Sequence, residues 1–304
     1  AQDVAANIML ADTDDTFTID ATVPTVSLSH NHADLIVRDA DSVVITATFS
    51  ENMTSAPNIS IDVASGADAD ISSAMTQGAN ATIWTYSWNV PASHDGLSTV
   101  TVSGTDIAGN AYAGANSIIY TIDNIAPTAA ISYSINHAVK DADTLTITAT
   151  FNENIADSPA LQLAISYTGG ITALSATNMA TSYTYALNVP AGNGVGTISL
   201  SAGTDVAGNL ITATPTSGST FTVDNTAPSL SSWSLDMSTK KLTLNFSETA
   251  DISTFAVSGI TIQNAGNITT LSASNSRSLS ANSTTAATSN ASSIVIDLSA
   301  ADYA

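Results

Sequence analysis

An all-β chain of tandem sandwich domains is what the sequence predicts, and three observations carry the prediction. The phrase Thr105-Asp106-Ile107-Ala108-Gly109-Asn110 returns as Thr204-Asp205-Val206-Ala207-Gly208-Asn209, and a worn copy, Gln2-Asp3-Val4-Ala5-Ala6-Asn7, opens the chain. Each copy precedes a strand-like run and a proline linker, and Pro24, Pro127 and Pro228 recur at about 100 residues, which is one small domain per repeat rather than a solenoid unit. Within the repeat the apolar period is two, the signature of a half-buried strand, and no stretch carries a 3.6-residue period.

The elements follow in order. Val43, Ile45, Ala47 and Phe49 alternate with small or polar residues, and Leu145, Ile147, Ala149 and Phe151 write the same face again. Trp84, Tyr86, Trp88 and Val90 form an aromatic stripe answered by Tyr183, Tyr185, Leu187 and Val189; alternation onto one face reads as core rather than as a ligand platform. Between Pro24 and Pro127 strands are expected near 25–30, 42–49, 58–63, 69–76, 82–90, 98–103 and 117–123. Seven short strands separated by turns indicate an immunoglobulin-like sandwich, so the chain reads as all-β, with tandem immunoglobulin-like β-sandwiches in an elongated rod. Thr, Ser, Val and Ile stand where a helix would want Leu, Glu and Lys, so helix should be nearly absent. The expected divisions are 1–23, a terminal strand of a preceding repeat; 24–126 and 127–227, two immunoglobulin-like domains; and 228–304, a divergent and incomplete one. In the last, Leu242, Leu244, Phe246 and Ser247-Glu248 keep the pattern, Ser292 to Leu298 is strand-like, and Ser272 to Ser293 reads as a mobile or modified loop.

Composition bounds the function. The 304 residues are 44% hydrophobic, enough for two or three modest cores, and Lys plus Arg number 5 against 26 Asp plus Glu, a net charge of −21. That sign opposes nucleic acid and anionic membrane surfaces and makes divalent cations the natural counter-ions. Cysteine is absent, so core packing or metal must do what disulfides do in small secreted domains; a cytosolic chain could equally lack it. No signal-like segment and no apolar run near 18 residues occurs. Both ends read as cuts from something longer.

The Thr-Asp-x-Ala-Gly-Asn phrase, the linkers Asp123-Asn124-Ile125-Ala126-Pro127 and Asp224-Asn225-Thr226-Ala227-Pro228, and the Phe-Ser-Glu step at 49–51 resemble the tandem immunoglobulin-like domains of giant prokaryotic surface proteins of the adhesin or S-layer type. Residues 241–248 with 255–263 resemble a second flavour of such module. The resemblance covers nearly the whole chain. It implies an extracellular, cell-surface location and partners that are other copies, other surface proteins or surface glycans.

The repeated acids gain meaning on the sandwich, where the turns after the second and sixth strands lie at the pole that receives the linker. At the first-to-second junction Asp39, Asp41, Asp123, Asn124, Glu153, Asp205 and Asn209 are expected to converge; at the lower one Asp20, Glu51, Asp106 and Asn110; at the next Asp141, Asp143, Asp224, Asn225 and Glu248, where Lys240-Lys241 replaces the Asp-x-Asp turn. Hard oxygen ligands on a short linker suit Ca2+. The competing reading is turn chemistry alone, with Asp and Asn capping turns and Gly-Asn supplying a positive φ.

Catalytic signals are poor. His30, His32, His94 and His137 lack metal spacing, no nucleophile elbow or zinc-protease motif occurs, and the turn pair Asp39 and Asp41 has no cleft for glycoside chemistry. Sequons stand at Asn52, Asn58, Asn80, Asn245, Asn267, Asn282 and Asn290; a chain rich in Asn, Ser and Thr produces many of these by chance, and their absence from 91–244 implies a glycoprotein in which at most some are used, in an N-glycosylating host. The sequence therefore reads as a non-enzymatic structural segment of a large surface protein, in an S-layer, sheath, filament or adhesin stalk, with accessory modules of a secreted polysaccharide-degrading enzyme as the alternative. A further expectation is that the run 12–22 could supply a strand to the open edge of another copy's last domain.

Overall fold

The computed structural model describes residues 4–8, 17–32, 34–39, 41–63, 70–167, 170–174, 180–263 and 276–303. The described chain is nearly all β and divides into two compact units, residues 1–223 and 224–304.

In the first repeat the strands are β1 (Val26–His30), β2 (Ile36–Val37), β3 (Ser42–Phe49), β4 (Asn58–Asp62), β5 (Ile71–Ala74), β6 (Thr76–Gln77), β7 (Ile83–Asn89), β8 (Gly96–Ser103) and β9 (Ser117–Ile122). They form two sheets, β1-β3-β7-β6 and β2-β9-β8-β4-β5, antiparallel except where β2 pairs parallel to β9. The period-two reading holds at the level of single residues. Val43, Ile45, Ala47 and Phe49 are buried from one sheet, Ile59, Ile61, Val100, Val102 and Tyr120 from the other, and all belong to one core. The aromatic stripe is core: Trp84 and Trp88 are buried and Tyr86 packs against the cluster. The strand expected over 69–76 is interrupted, because buried Met75 donates its amide to the Pro57 carbonyl and separates β5 from β6; residue 69 lies outside the described residues. The two-residue β2 was not read from the sequence, being too short to show a period.

The second repeat holds β10 (Ala129–Tyr133), β11 (Thr144–Phe151), β12 (Leu161–Ile165), β13 (Gly170–Leu174), β14 (Ser182–Asn188), β15 (Gly194–Ser201) and β16 (Thr220–Val223). Its sheets are β10-β11-β14 and β13-β12-β15-β16. The register repeats, with Val26 opposite Phe49 in the first and Ala129 opposite Phe151 in the second. A single parallel bridge, Val139 to Val223, stands where β2 stood. Its core runs from Ala129 to Val223.

The unit 224–304 contains β17 (Leu230–Asp236), β18 (Lys241–Ala250), β19 (Thr261–Gln263), β20 (Ser276–Ser278), β21 (Thr284–Thr285), β22 (Ala291–Asp297) and a four-residue helix, α1 (Ala300–Tyr303). One sheet is β17-β18-β22-β21 and the other is β19-β20. Its core among the described residues includes Leu242, Leu244, Ile294 and Ile296, and the outer strand β17 is exposed along nearly its whole length. The expectation of a loop over 272–293 is corrected in its described part. Leu279 and Ser283 are buried, and Asp302 gathers the Ser280 amide and the hydroxyls of Ser280, Ser283 and Ser299 at 2.6–3.0 Å. Those donors hold the Asp302 carboxyl far below the ordinary carboxylate range against the burial that would raise it. Composition alone hides such a cluster, since serine reads as loop until a carboxylate organises it.

Residues 12–16 of the expected leading strand lie outside the described residues; 17–22 form no strand, and Phe17 and Ile19 are exposed. Of the sequons, Asn267 lies outside the described residues, while Asn58, Asn245 and Asn290 spend side-chain amide atoms on internal hydrogen bonds.

Candidate metal centres

The repeated phrase folds into one turn, made twice. Asp205 accepts the Asn209 backbone amide on Oδ1 and the Asn209 side-chain amide on Oδ2, both at 2.8 Å; Asp106 accepts the same pair from Asn110 at the same distances. Backbone bonds between Asp205 and Asn209 and between Asp106 and Asn110 close the loops. Gly208 and Gly109 take φ of +91° and +96°, a left-handed conformation that a side chain at that position would strain. The isolated bridges of Asp106 to Met53 and of Asp205 to Ile155 dock each turn beside the segment that follows β3 or β11.

Asn209 has a second duty. Its side-chain amide also donates to the Asp123 carbonyl at 2.8 Å, as that of Asn110 does to the Asp20 carbonyl at 3.2 Å, so one asparagine ties the turn to the linker. This brings the linker carboxylate to the turn carboxylate. The glutamate one residue past the Phe-Ser or Phe-Asn step completes the set. Ligand oxygens of Asp123, Glu153 and Asp205 lie within 4.8 Å of one another, and so do those of Asp20, Glu51 and Asp106. Asp106 and Asp205 are almost fully buried, at 1% and 2% exposure, which is expensive for a carboxylate.

The electrostatics follow. Burial first, then the charges of Asp106 and Asp20, push the Glu51 carboxyl up; burial first, then Asp123 and Asp205, do the same to Glu153. Asp123 is raised by burial and by the charges of Asp205 and Asp95, against the Ile125 amide that it accepts. Asp106 goes the other way: burial raises it, but the Asn110 side chain and the turn amides outweigh burial and hold it below its ordinary value. The donors to Asp106 and Asp205 are amides, so their negative charge is solvated without being cancelled.

Four residues expected at the upper site stand outside the trio: Asn209, which ties the turn to the linker, and Asp41, Asp39 and Asn124. Asp41 accepts the Arg38 amide at 2.9 Å and lies 3.7 Å from His32, closing its own turn. Asp39 is exposed and donates its backbone amide to Asn124 Oδ1. Asn124 is spent as a latch, its side-chain amide on the His94 carbonyl at 2.9 Å and its backbone amide on Asp95 at 2.6 Å. Asp143 repeats the role of Asp41, accepting the Lys140 amide at 2.9 Å, and Asp141 is exposed. Asp224 accepts the Thr226 amide at 2.9 Å, Asn225 is exposed, and Glu248 sits on β18 with a buried Oε1 that has no hydrogen-bond partner among the described residues.

Sequence reasoning missed Arg38 and Asp95. Arg38 donates from Nη1 to the Gly208 carbonyl, from the first repeat to the Asp205 turn of the second. A polar cavity of about 450 Å³ opens beside it, lined by Arg38, Asp39, Ser93, Asp95, Asn124 and Asn209. The histidines do other work: His30 meets the Tyr120 ring edge-on at 5.5 Å, and His32 pairs with Asp34 at 2.9 Å. Among the described residues no helix is long and apolar enough to cross a membrane.

No protein-family model matches the chain, and no curated protein matches it. Among solved structures, a tetra-tandem repeat in the extending region of a large adhesion protein is 21% identical, covering 75% of this chain and 57% of that one with a TM-score of 0.30. Dimeric latent PorU from Porphyromonas gingivalis is 13% identical, covering 74% of this chain and 26% of that one with a TM-score of 0.24. The chain thus spans less than two thirds of the length of either.

Proposed function

We propose that this chain is a non-enzymatic structural segment of a large extracellular surface protein, a run of immunoglobulin-like spacer domains with joints stiffened by calcium. The duplicated trio carries the reading. Two linkers each bring one linker aspartate, one glutamate and one buried aspartate to within 4.8 Å, at equivalent positions of successive repeats. Carboxylates placed so repel unless a cation joins them, and burial strengthens the repulsion.

The donor set fits the ion. Three carboxylates are hard oxygen ligands, able to bind singly or doubly, with water completing the six to eight oxygens that Ca2+ takes. Asp20 and Asp123 come from linkers, Glu51 and Glu153 from the ends of β3 and β11, and Asp106 and Asp205 from the turns after β8 and β15. A bound ion at either site would tie a linker to two elements of the repeat that follows it. Its chemistry is charge neutralisation and cross-linking alone. An S-layer, sheath, filament or adhesin stalk is the setting such a spacer suits, with other copies, other surface proteins or surface glycans as partners.

Thermal unfolding of the chain in calcium and then in chelator tests the reading. A higher Tm in calcium that magnesium does not match supports it; identical melting in calcium and chelator returns the acids to turn chemistry.

A further inference from the structure

We propose that Arg38 is a metal-independent clasp between the first and second repeats, a positioning residue that fixes their relative orientation through the Gly208 carbonyl. The inference rests on the spacer reading of the joint and not on the metal.

The guanidinium leaves a fixed base. Val37, fully buried, pairs in parallel register with Ile122, and the next turn is closed by the Arg38 amide on Asp41 and the Asp41 amide on the Arg38 carbonyl at 3.1 Å. From there Nη1 reaches the Gly208 carbonyl, 170 residues away in sequence. A methyl group at Gly208 would come within 3.2 Å of Arg38 Cζ, so the guanidinium lies close against the turn as well as bonding to it.

The bond goes to a carbonyl, and this matters. The Asp205 carboxylate in the same turn keeps its amide donors and is left available to a cation, so clasp and ion act on one turn without competing for one atom. The planar fork of arginine suits a carbonyl at fixed distance better than the mobile ammonium of lysine. The second repeat builds the same turn with Lys140 in place of Arg38. At the Asp106 turn a methyl group at Gly109 would meet nothing within 4 Å among the described residues. In a chain with 5 basic side chains, one stands at the single joint of the 1–223 unit where both neighbouring cores are described.

The absence of cysteine allows a direct test on the full chain. Spin labels at Ser87→Cys on β7 and Thr184→Cys on β14, both exposed, report the distance between repeats by pulsed electron resonance in chelator. The expected result is a narrow distribution for the parent and a broadened one for Arg38→Gln, with near-ultraviolet circular dichroism showing both aromatic cores intact. An unchanged distribution in Arg38→Gln overturns the clasp. If Arg38→Gln loses its cores, Arg38→Lys, which keeps charge and stem, is judged by the same two outcomes. Calcium added to Arg38→Gln separates the two proposals: narrowing supports the metal reading, and no change defeats that reading while leaving the clasp as the chelator data found it.

Discussion

The acids at Asp20, Glu51 and Asp106 and those at Asp123, Glu153 and Asp205 share one turn, one glutamate position and one asparagine bond to the linker, and among the described residues the second turn alone is met by a basic side chain, Arg38. What is shared is the oxygen cluster together with the asparagine that assembles it. What differs is an arginine that touches backbone. Ligand convergence is thus a property of the repeat, written into its phrase, whereas the arginine contact depends on what the neighbouring repeat presents.

The comparison is broken most forcefully at the turn aspartates. Asp205→Ala leaves the Asn209 backbone amide without its side-chain acceptor and the Asn209 side-chain amide with the Asp123 carbonyl alone, and should cost about 2 kcal/mol in urea unfolding even without metal, because hydrogen bonds to a charged acceptor are lost from a buried site. Asp106→Ala removes the same pair and should act in the same direction. A loss at one turn only would show that the two are not equivalent.

Acidity sharpens the comparison next. Glu51 and Glu153 have folded values raised above the ordinary 4.5, so the folded state holds their protons more tightly than the unfolded chain does. Their contribution is a penalty at neutral pH that is relieved as pH falls toward and through that raised range. In chelator, melting temperature should therefore rise on acidification from neutrality toward pH 5, and Glu51→Gln with Glu153→Gln should flatten the rise. Asp106, lowered, opposes this only at more acid pH, where protonation removes its stabilisation. A melting temperature that falls monotonically from pH 7 to 5, with the glutamines making no difference, contradicts the assignment.

The smallest effect lies in the cores. The Tyr183 hydroxyl donates to the Ile155 carbonyl at 3.3 Å, while the buried Tyr120 hydroxyl has no partner among the described residues and is pushed up to about 12 by burial. Tyr183→Phe should cost about 1 kcal/mol and Tyr120→Phe close to nothing, since removing an unpaired hydroxyl sheds a desolvation cost. The second repeat already carries Phe221 at the Tyr120 position and Leu187 at that of Trp88. Equal losses in denaturant titration for the two tyrosine variants would contradict the difference between the cores.

Much of this was legible in the sequence because it is local or repeated. Alternation placed β3 and β11 residue by residue, since a half-buried strand has no other way to satisfy both faces. The trio was legible because the phrase, the linker and the glutamate recur together. Asp39 and Asp41 were drawn into it by type, but a backbone amide three residues back claims Asp41 first, and short-range turn bonds form whatever the tertiary context. Residue type marks Asn124 as a ligand, and only the fold shows its side-chain amide on the His94 carbonyl. Arg38 could not be found by spacing, because its partner is a backbone carbonyl in the next repeat, and no side-chain pattern records a carbonyl.

Calcium stoichiometry tests the central claim most directly. Equilibrium dialysis of the full chain and of Glu51→Gln, Glu153→Gln and the double variant counts ions at the two trios, where each substitution keeps the shape and removes one charged ligand. The account predicts saturable uptake that falls by one ion in each single variant and by two in the double. Uptake equal in all four proteins, or none in the parent, would contradict it.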